Sequence, residues 1–195
     1  MQHLENQNKD LNRCPRCVWD PLYEAYHDDE RGVPVYDDRV LFEFLVLEGA
    51  QAGLSWITIL RKREWYRKAF KNFDPQQCSQ LDDDYLESLR DDASIVRNKL
   101  KIYSVRKNAK IFLAIQAEFG SFSDYLRWRV DHTPVISYHN TLDECPTTTE
   151  LSDQISKDLK RRGMSFVWST IMYAYLQAVG VVDDHILSCH KRKSR

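Results

Sequence analysis

No apolar run in the 195-residue sequence reaches the length needed to cross a membrane. The first residues have no basic segment followed by an apolar stretch, so we expect no secretory signal and a cytoplasmic protein without a membrane partner. The dipeptides Asn-Gly and Asp-Gly, typical of tight β-hairpins, do not occur, and no pair of alternating strands is evident. The sequence therefore argues against a membrane protein and against a β-rich fold.

Cysteine is scarce, and the five cysteines are Cys14, Cys17, Cys78, Cys145 and Cys189. An odd count without a secretory signal argues against a disulfide framework and makes metal binding worth testing. The pair His185 and Cys189 has a spacing that places both side chains on one face of a helical turn. With Cys14 and His27 they give two sulfurs and two nitrogens, the donor set of a closed tetrahedral zinc site. On spacing alone, Cys17 fits as well as Cys14.

Helical periodicity dominates the chain and predicts an all-α fold. Residues 100–119 carry apolar side chains at helical spacing and end at Gly120. Ser152 is expected to cap a helix over residues 154–162, and the apolar residues 165–179 predict another helix. The length is sufficient for one core or for a compact two-lobed domain.

Charge is nearly balanced overall, with a formal net charge of -1, but it is unevenly distributed. Residues 81–92 are rich in acids, whereas residues 95–110 contain six basic residues and no acid. The short segment 89–99 lies between two predicted helices, and a helix N-terminus with basic residues nearby suits a phosphate group. An ordinary helix–helix connection is the alternative for this segment.

Glu48 is the most informative residue, because it lies between two apolar segments, residues 40–47 and 56–60. A carboxylate is costly to bury unless it is paired or neutralised. A buried carboxylate beside aromatic rings suits recognition of a polar or cationic group in a pocket. The alternative is a solvated glutamate at a helix end.

Several short motifs occur in a fixed order along the chain. They are Arg13-Cys14-Pro15, Asp20-Pro21-Leu22-Tyr23, Gly32-Val33-Pro34, Leu47-Glu48-Gly49, Gln51-Ala52-Gly53-Leu54-Ser55-Trp56, Ile95-x-Arg97-Asn98 and Asp184-His185-x3-Cys189. With these motifs the chain resembles the DNA-3-methyladenine glycosylase I family, within the helix-hairpin-helix DNA glycosylase superfamily. The resemblance extends from about residue 13 to residue 189.

The resemblance implies an all-α, two-lobed helix-hairpin-helix glycosylase fold with its pocket between the lobes. It implies a structural Zn²⁺ that joins the N- and C-terminal segments through Cys14, His27, His185 and Cys189, which selects Cys14 over Cys17. The expected organisation is a polar tail at residues 1–12, the catalytic domain at 13–189 and a basic tail at 190–195.

The resemblance also implies a function, that of a monofunctional, monomeric DNA repair glycosylase. Such an enzyme flips 3-methyladenine out of double-stranded alkylated DNA and releases the base by hydrolysis, leaving an abasic site. The residues implied are Glu48 as the catalytic residue, Tyr26, Trp56 and Tyr23 as base-binding residues, and Arg97, Asn98 and Lys99 as contacts to the DNA backbone.

Four positions depart from the family pattern: Arg16 and Arg31 replace tryptophans, Trp168 replaces a glycine, and Asp183 replaces an asparagine. Two lost tryptophans would enlarge the pocket or make it more positive. Arg31 is expected to pair with Glu48 and to oppose a cationic base, and Trp168 is expected to refill the vacated volume. Drift at the pocket rim is the alternative to an altered base specificity, and a catalytically weak DNA-binding protein is a further alternative function.

Overall fold

The computed structural model describes residues 11–192, which are mostly helical. The α-helices are α1 (Pro21–Asp29), α2 (Asp38–Gln51), α3 (Trp56–Ala69), α4 (Pro75–Ser79), α5 (Asp83–Ser88), α6 (Lys99–Phe119), α7 (Phe122–Arg127), α8 (Glu150–Arg161) and α9 (Ser169–Ala178). Short 3-10 helices span Lys71–Phe73, Trp128–Val130 and Leu142–Glu144. A mostly helical fold is therefore confirmed.

The expectation of no strands is wrong at one place. Within the described residues, β1 (Val135–Ile136) and β2 (Val182–Asp183) form a two-stranded parallel pair, with Val135 opposite Val182. Such short strands give no alternating pattern long enough to detect in the sequence. The pair joins the segment after α7 to the segment after α9.

Helix α2 lies at the centre of the molecule. Its residues 41–50 are all buried, and it packs against α3, α6, α7 and α9. This position agrees with the apolar run at residues 40–47, because a helix that is apolar on most sides is stable only when neighbours cover it. Asp37 caps its first turn by accepting hydrogen bonds from the backbone amides of Arg39 at 2.8 Å and Val40 at 3.2 Å.

The C-terminal end of α2 is held by the first turn of α6. Nζ of Lys101 donates to the carbonyl oxygens of Ala50 at 2.8 Å and Ala52 at 2.6 Å. The side chain of Asn98 caps α6 by accepting a hydrogen bond from the amide of Lys101 at 3.1 Å. These hydrogen bonds therefore fix the turn between α5 and α6 relative to the end of α2.

Two predicted helix starts are wrong. Thr149, not Ser152, is the N-cap of α8, and the two residues form a reciprocal capping box, with the Thr149 amide donating to Ser152 Oγ at 2.8 Å. Helix α9 begins at Ser169 instead of residue 165. Phe166 has a φ of +58°, which a right-handed helix does not allow, so residues 165–168 form an irregular turn.

The N- and C-terminal segments meet at the surface. The amide of His190 donates to the carbonyl of Asn12 at 2.7 Å, and Nζ of Lys191 donates to the carbonyl of Asp28 at 2.5 Å. Most of the expected polar tail, residues 1–10, and the last three residues of the expected basic tail, 193–195, lie outside the described residues. Among the helices of residues 11–192, none has the length and apolar character needed to cross a membrane.

Candidate active site

A cavity opens between α1, the end of α2, the start of α3 and α9. Tyr23, Tyr26, Glu48 and Trp56 all line it, so the structure brings together the four residues that the sequence predicts for base binding and catalysis. Three of them are buried, and Tyr23 is half-buried. The ring centroids of Tyr26 and Trp56 are 5.3 Å apart, and those of Tyr23 and Tyr26 are 6.2 Å apart. Three aromatic rings therefore form one part of the cavity wall, and polar and charged side chains form much of the rest.

Local sequence explains how these side chains converge. Asp20 caps α1 and Pro21 occupies its first turn, which sets the direction of the helix that carries both tyrosines. Glu48 lies in the last turn of α2, and Trp56 is the first residue of α3. The short connection 52–55 folds the start of α3 back toward the end of α2, so Trp56 faces the same cavity as Glu48.

Helix α2 carries two buried carboxylates with different surroundings. Oε1 of Glu43 accepts hydrogen bonds from Nε of Arg63 at 2.5 Å and from Nη2 of Arg67 at 2.8 Å. Glu48 is 5% exposed, and its carboxyl group has no hydrogen-bond or ion-pair partner among residues 11–192. Because unpaired buried carboxylates are costly, the contrast marks Glu43 as structural and Glu48 as a group kept for a ligand.

Burial raises the pKa of Glu48 to about 8, and the positive charge of Arg31 offsets part of that rise. The carboxyl group is therefore largely protonated near neutral pH and can donate as well as accept a hydrogen bond. The direct ion pair expected between Arg31 and Glu48 is wrong, because no contact within 4.0 Å joins them among the described residues. Arg31 acts on Glu48 only through its longer-range field.

A second polar group in the cavity lacks a partner. Nε1 of Trp56 is buried and makes no hydrogen bond within the described part of the chain. Buried indole N–H groups usually find an acceptor. A ligand with a ring nitrogen or carbonyl oxygen in this cavity would supply one.

The sequence prediction missed several cavity residues, notably Gln51 and Gln177. Gln51 follows Glu48 by three positions on α2, so helical spacing was a usable signal. Gln177 belongs to the motif Gln177-Ala178-x-Gly180 of the family resemblance, but its place in the cavity depends on how α9 packs. Trp168 is 51% exposed, packs its ring on Phe166 and does not line the cavity, so the expectation that it refills the pocket is wrong.

Three of the four expected zinc ligands converge. The Sγ atoms of Cys14 and Cys189 and a ring nitrogen of His27 lie within 4.8 Å of one another, and all three residues are buried. Nδ1 of His27 contacts Asp28 Oδ1 at 2.8 Å, which leaves Nε2 facing Cys189 Sγ at 3.4 Å. A hydrogen bond from Cys189 lowers the pKa of Cys14 and so favours its thiolate, the form that binds a metal.

His185, the fourth expected ligand, lies beside this group, with its ring centroid 5.1 Å from that of His27. Its Nδ1 contacts Asp183 Oδ1 at 2.9 Å, and its Nε2 is buried without a hydrogen-bond partner in residues 11–192. A metal-binding histidine commonly has this arrangement, in which a carboxylate orients the ring. Gly32 allows the close approach, since a Cβ there would lie 2.7 Å from Cε1 of His185. The residues present thus fit a zinc ion.

The expected DNA-backbone residues lie at the turn between α5 and α6 and are exposed. Arg97 has no hydrogen-bond or ion-pair partner within residues 11–192. Nζ of Lys99 pairs with Glu87 Oε1 at 2.8 Å, and the side chain of Asn98 caps α6. Of the three, Arg97 is therefore the most available for a phosphate.

Comparison with known proteins places this geometry in a family. The family model described as methyladenine glycosylase matches residues 16–192. DNA-3-methyladenine glycosylase 1 of Escherichia coli (strain K12) is 46% identical over 177 residues, which are 89% of this chain and 95% of that protein. DNA-3-methyladenine glycosylase of Haemophilus influenzae is 41% identical over 91% and 96% of the two chains.

The chain also resembles a solved structure of a 3-methyladenine DNA glycosylase. A variant of 3-methyladenine DNA glycosylase I crystallised in complex with 3-methyladenine is 33% identical and superimposes with a TM-score of 0.91, covering 95% of this chain and all of that one. The helical frame and the aromatic cavity with its buried carboxyl group define a DNA glycosylase. Because the family model spans most of the sequence, the chain belongs to the methyladenine glycosylase family.

Proposed function

We propose that this chain releases 3-methyladenine from alkylated double-stranded DNA by hydrolysis and leaves an abasic site, as a monofunctional, monomeric enzyme. The observation that carries the proposal is the buried carboxyl group of Glu48, unpaired among the described residues, in a cavity walled by Tyr23, Tyr26 and Trp56. A relative with this fold binds 3-methyladenine.

Base flipping makes the cavity useful. A base inside a duplex must leave the stack before an enzyme can handle it, and this costs a few kcal/mol, least for a damaged base. Stacking on Trp56 and Tyr26 would repay part of the cost, since base–aromatic stacking contributes about 1–3 kcal/mol. A cationic methylated base gains further from the negative faces of the rings.

Glu48 would read the edge of the flipped base. Its raised pKa lets it present either a hydroxyl or a carboxylate oxygen. A cationic base favours the ionised form, so binding would release the proton of Glu48. The bond from base to sugar is weak in a cationic base, so the base leaves without strong acid catalysis and water attacks C1′ of the deoxyribose.

Zinc is proposed as a structural ion held by Cys14, His27, His185 and Cys189. With four protein ligands, no position is open for substrate, and the ion would contribute to folding instead of chemistry. The ion would lie where the N- and C-terminal segments meet and would join them within the two-lobed domain proposed for residues 13–189.

The deciding experiment measures the bases released from methylated duplex DNA. We expect wild type to release 3-methyladenine and Glu48→Gln to release it at least tenfold more slowly, because the ionised partner of the cation is lost. Glu64→Gln is the matched control, since Glu64 is exposed on α3. Wild type that binds DNA but releases no 3-methyladenine would disprove the proposal.

A second candidate function, with altered base specificity, rests on Arg16 and Arg31, which both line the cavity. Positive charge and guanidinium donors there disfavour a cationic base and favour one with exposed acceptors. The same assay on Arg31→Trp distinguishes the two candidates. If Arg31→Trp releases 3-methyladenine at the wild-type rate, Arg31 does not set base specificity. If release of 3-methyladenine rises while release of other damaged bases falls, Arg31 is the cause of an altered base specificity.

A further inference from the structure

A second group of metal-binding side chains lies beside the proposed zinc ligands and the base cavity, since Asp184 directly precedes His185 and is hydrogen-bonded to the cavity residue Gln177. A ring nitrogen of His139, Sγ of Cys145 and a carboxylate oxygen of Asp184 all lie within 4.8 Å of one another. We propose that these three side chains bind a second divalent transition metal ion, of the zinc class. The ligands come from the loop after β1 and from the segment directly after β2, which the strand pair brings together.

Two atoms that make no hydrogen bond support the proposal. Nε2 of His139 and Oδ1 of Asp184 lie 3.1 Å apart as an ion pair, and neither atom makes a hydrogen bond within residues 11–192. The side chain of Asp184 is fully buried, and leaving such atoms without a hydrogen bond is costly. Ligands of a tetrahedral zinc ion, with bonds of about 2.0–2.3 Å, lie roughly 3.3–3.8 Å apart. A shared ion would satisfy both atoms.

The surroundings hold the carboxylate of Asp184 and the backbone of His139 in place. Oδ2 of Asp184 accepts hydrogen bonds from the hydroxyl of Tyr173 at 2.7 Å and from Nε2 of Gln177 at 2.5 Å. These contacts leave Oδ1 directed toward His139, as outer contacts do for metal ligands. The backbone carbonyl of His139 accepts from the amide of Leu187 at 2.9 Å, which fixes the position of that residue.

The donor types point to zinc or a similar ion. Magnesium and calcium prefer oxygen ligands, whereas thiolate, imidazole and carboxylate together suit zinc, cobalt and related ions. Cys145 would bind as the thiolate and release its proton to solvent. An ordinary ion pair between His139 and Asp184 does not account for the thiol of Cys145 beside them. Three protein ligands leave one position for water.

The site would act on the base cavity through Gln177. Gln177 lines that cavity and donates to Asp184. A metal ion on Oδ1 of Asp184 would fix the carboxylate and with it the amide of Gln177.

Metal content of the full chain tests the inference. After removal of metal and titration with Co²⁺, we expect about two ions per wild-type chain, each with thiolate-to-cobalt absorption, and about one in Cys145→Ala. Cys189→Ala should lose the other ion and keep the Cys145-dependent absorption. Cys78→Ala is the control, because Cys78 is buried in the core away from both groups.

A second variant distinguishes the loss of a metal ligand from a folding defect. His139→Ala should lose the same ion as Cys145→Ala, with circular dichroism unchanged. If both variants bind as much cobalt as wild type, the inference is wrong. If the wild type binds only one ion, and Cys145→Ala loses it, the second site stands and the proposed site at Cys14 and Cys189 fails, so the two proposals fail separately.

Discussion

At the scale of single residues, Glu43 and Glu48 show how two carboxylates on one helix acquire different roles. Glu43 receives two arginine side chains from α3, whereas Glu48 faces an aromatic cavity without a partner in the described part of the chain. The energy that Glu43 gains from its hydrogen bonds is not available to Glu48, so Glu48 weakens the fold when it is ionised. A ligand that supplies positive charge would reverse that cost.

This cost gives a pH-dependent stability prediction. The pKa of Glu48 is raised from 4.5 to about 8 in the folded protein, so the folded state binds its proton more tightly than the unfolded state. Below pH 4.5 both states are protonated and there is no cost; the cost grows between pH 4.5 and 8 and then stays constant. Glu48→Gln should therefore match wild type at pH 4.5 and be more stable by on the order of 5 kcal/mol at pH 9.

Urea unfolding of both proteins at pH 4.5, 7 and 9 measures this difference in the free energy of unfolding. Glu64→Gln, with an exposed side chain, should follow wild type at every pH. Stability curves for Glu48→Gln and wild type that stay parallel from pH 4.5 to pH 9 would show that Glu48 titrates normally.

The sequence predicts the residues of the cavity better than their interactions. Apolar residues on both sides of Glu48 indicate its burial, because a helix apolar on every face is covered by neighbours. The sequence does not show that Arg63 and Arg67 pair with Glu43, since that depends on how α2 and α3 pack. The sequence also does not predict the position of Trp168, because that position follows from the positive φ of Phe166.

At the scale of elements, the turn between α5 and α6 combines a structural and a binding role. Asn98 caps α6 and Lys99 is paired with Glu87, so both are already engaged. Arg97 is exposed and has no partner within residues 11–192. The sequence alone gives no reason to distinguish Arg97, Asn98 and Lys99 as phosphate contacts. Their different contacts in the folded turn show which of them is available for a phosphate.

Arg97→Ala should therefore weaken DNA binding and reduce its salt dependence. One lost phosphate contact lowers the slope of log K against log salt concentration by about 0.9. Lys99→Ala should change the slope less, because its charge is shared with Glu87. Fluorescence anisotropy with a duplex over a range of salt concentrations measures both slopes.

Arg39→Ala is the matched control for this series. Arg39 is exposed at the start of α2, and the helix places it about 14 Å along its axis from Glu48. An Arg97→Ala slope equal to that of Arg39→Ala would remove Arg97 from the proposed DNA contacts.

At the scale of the whole molecule, the proposed zinc ion joins residues 14 and 189 and so closes almost the entire chain into one loop. Cross-links that close long loops restrict the unfolded chain most in the chain-entropy model. Cys189→Ser should lose the ion and lower the midpoint of thermal unfolding by at least 5 °C. Elemental analysis and a thermal melt check both effects.

Cys17→Ser distinguishes the ligands that the sequence left open. Cys17 is buried but lies outside the converged group of Cys14, His27 and Cys189, so this variant should keep its zinc. Zinc content and thermal midpoint that are unchanged in Cys189→Ser would contradict the proposed closure.

The contact of Lys101 with the end of α2 has a further consequence. Lys101 belongs to the first turn of α6, directly after Arg97, Asn98 and Lys99, and its ammonium group holds the carbonyls of Ala50 and Ala52. The span from the proposed phosphate-binding turn to Glu48 is thereby a fixed length. A nucleotide whose phosphate is bound at this turn would therefore have to place its flipped base at that set distance in order to reach Glu48.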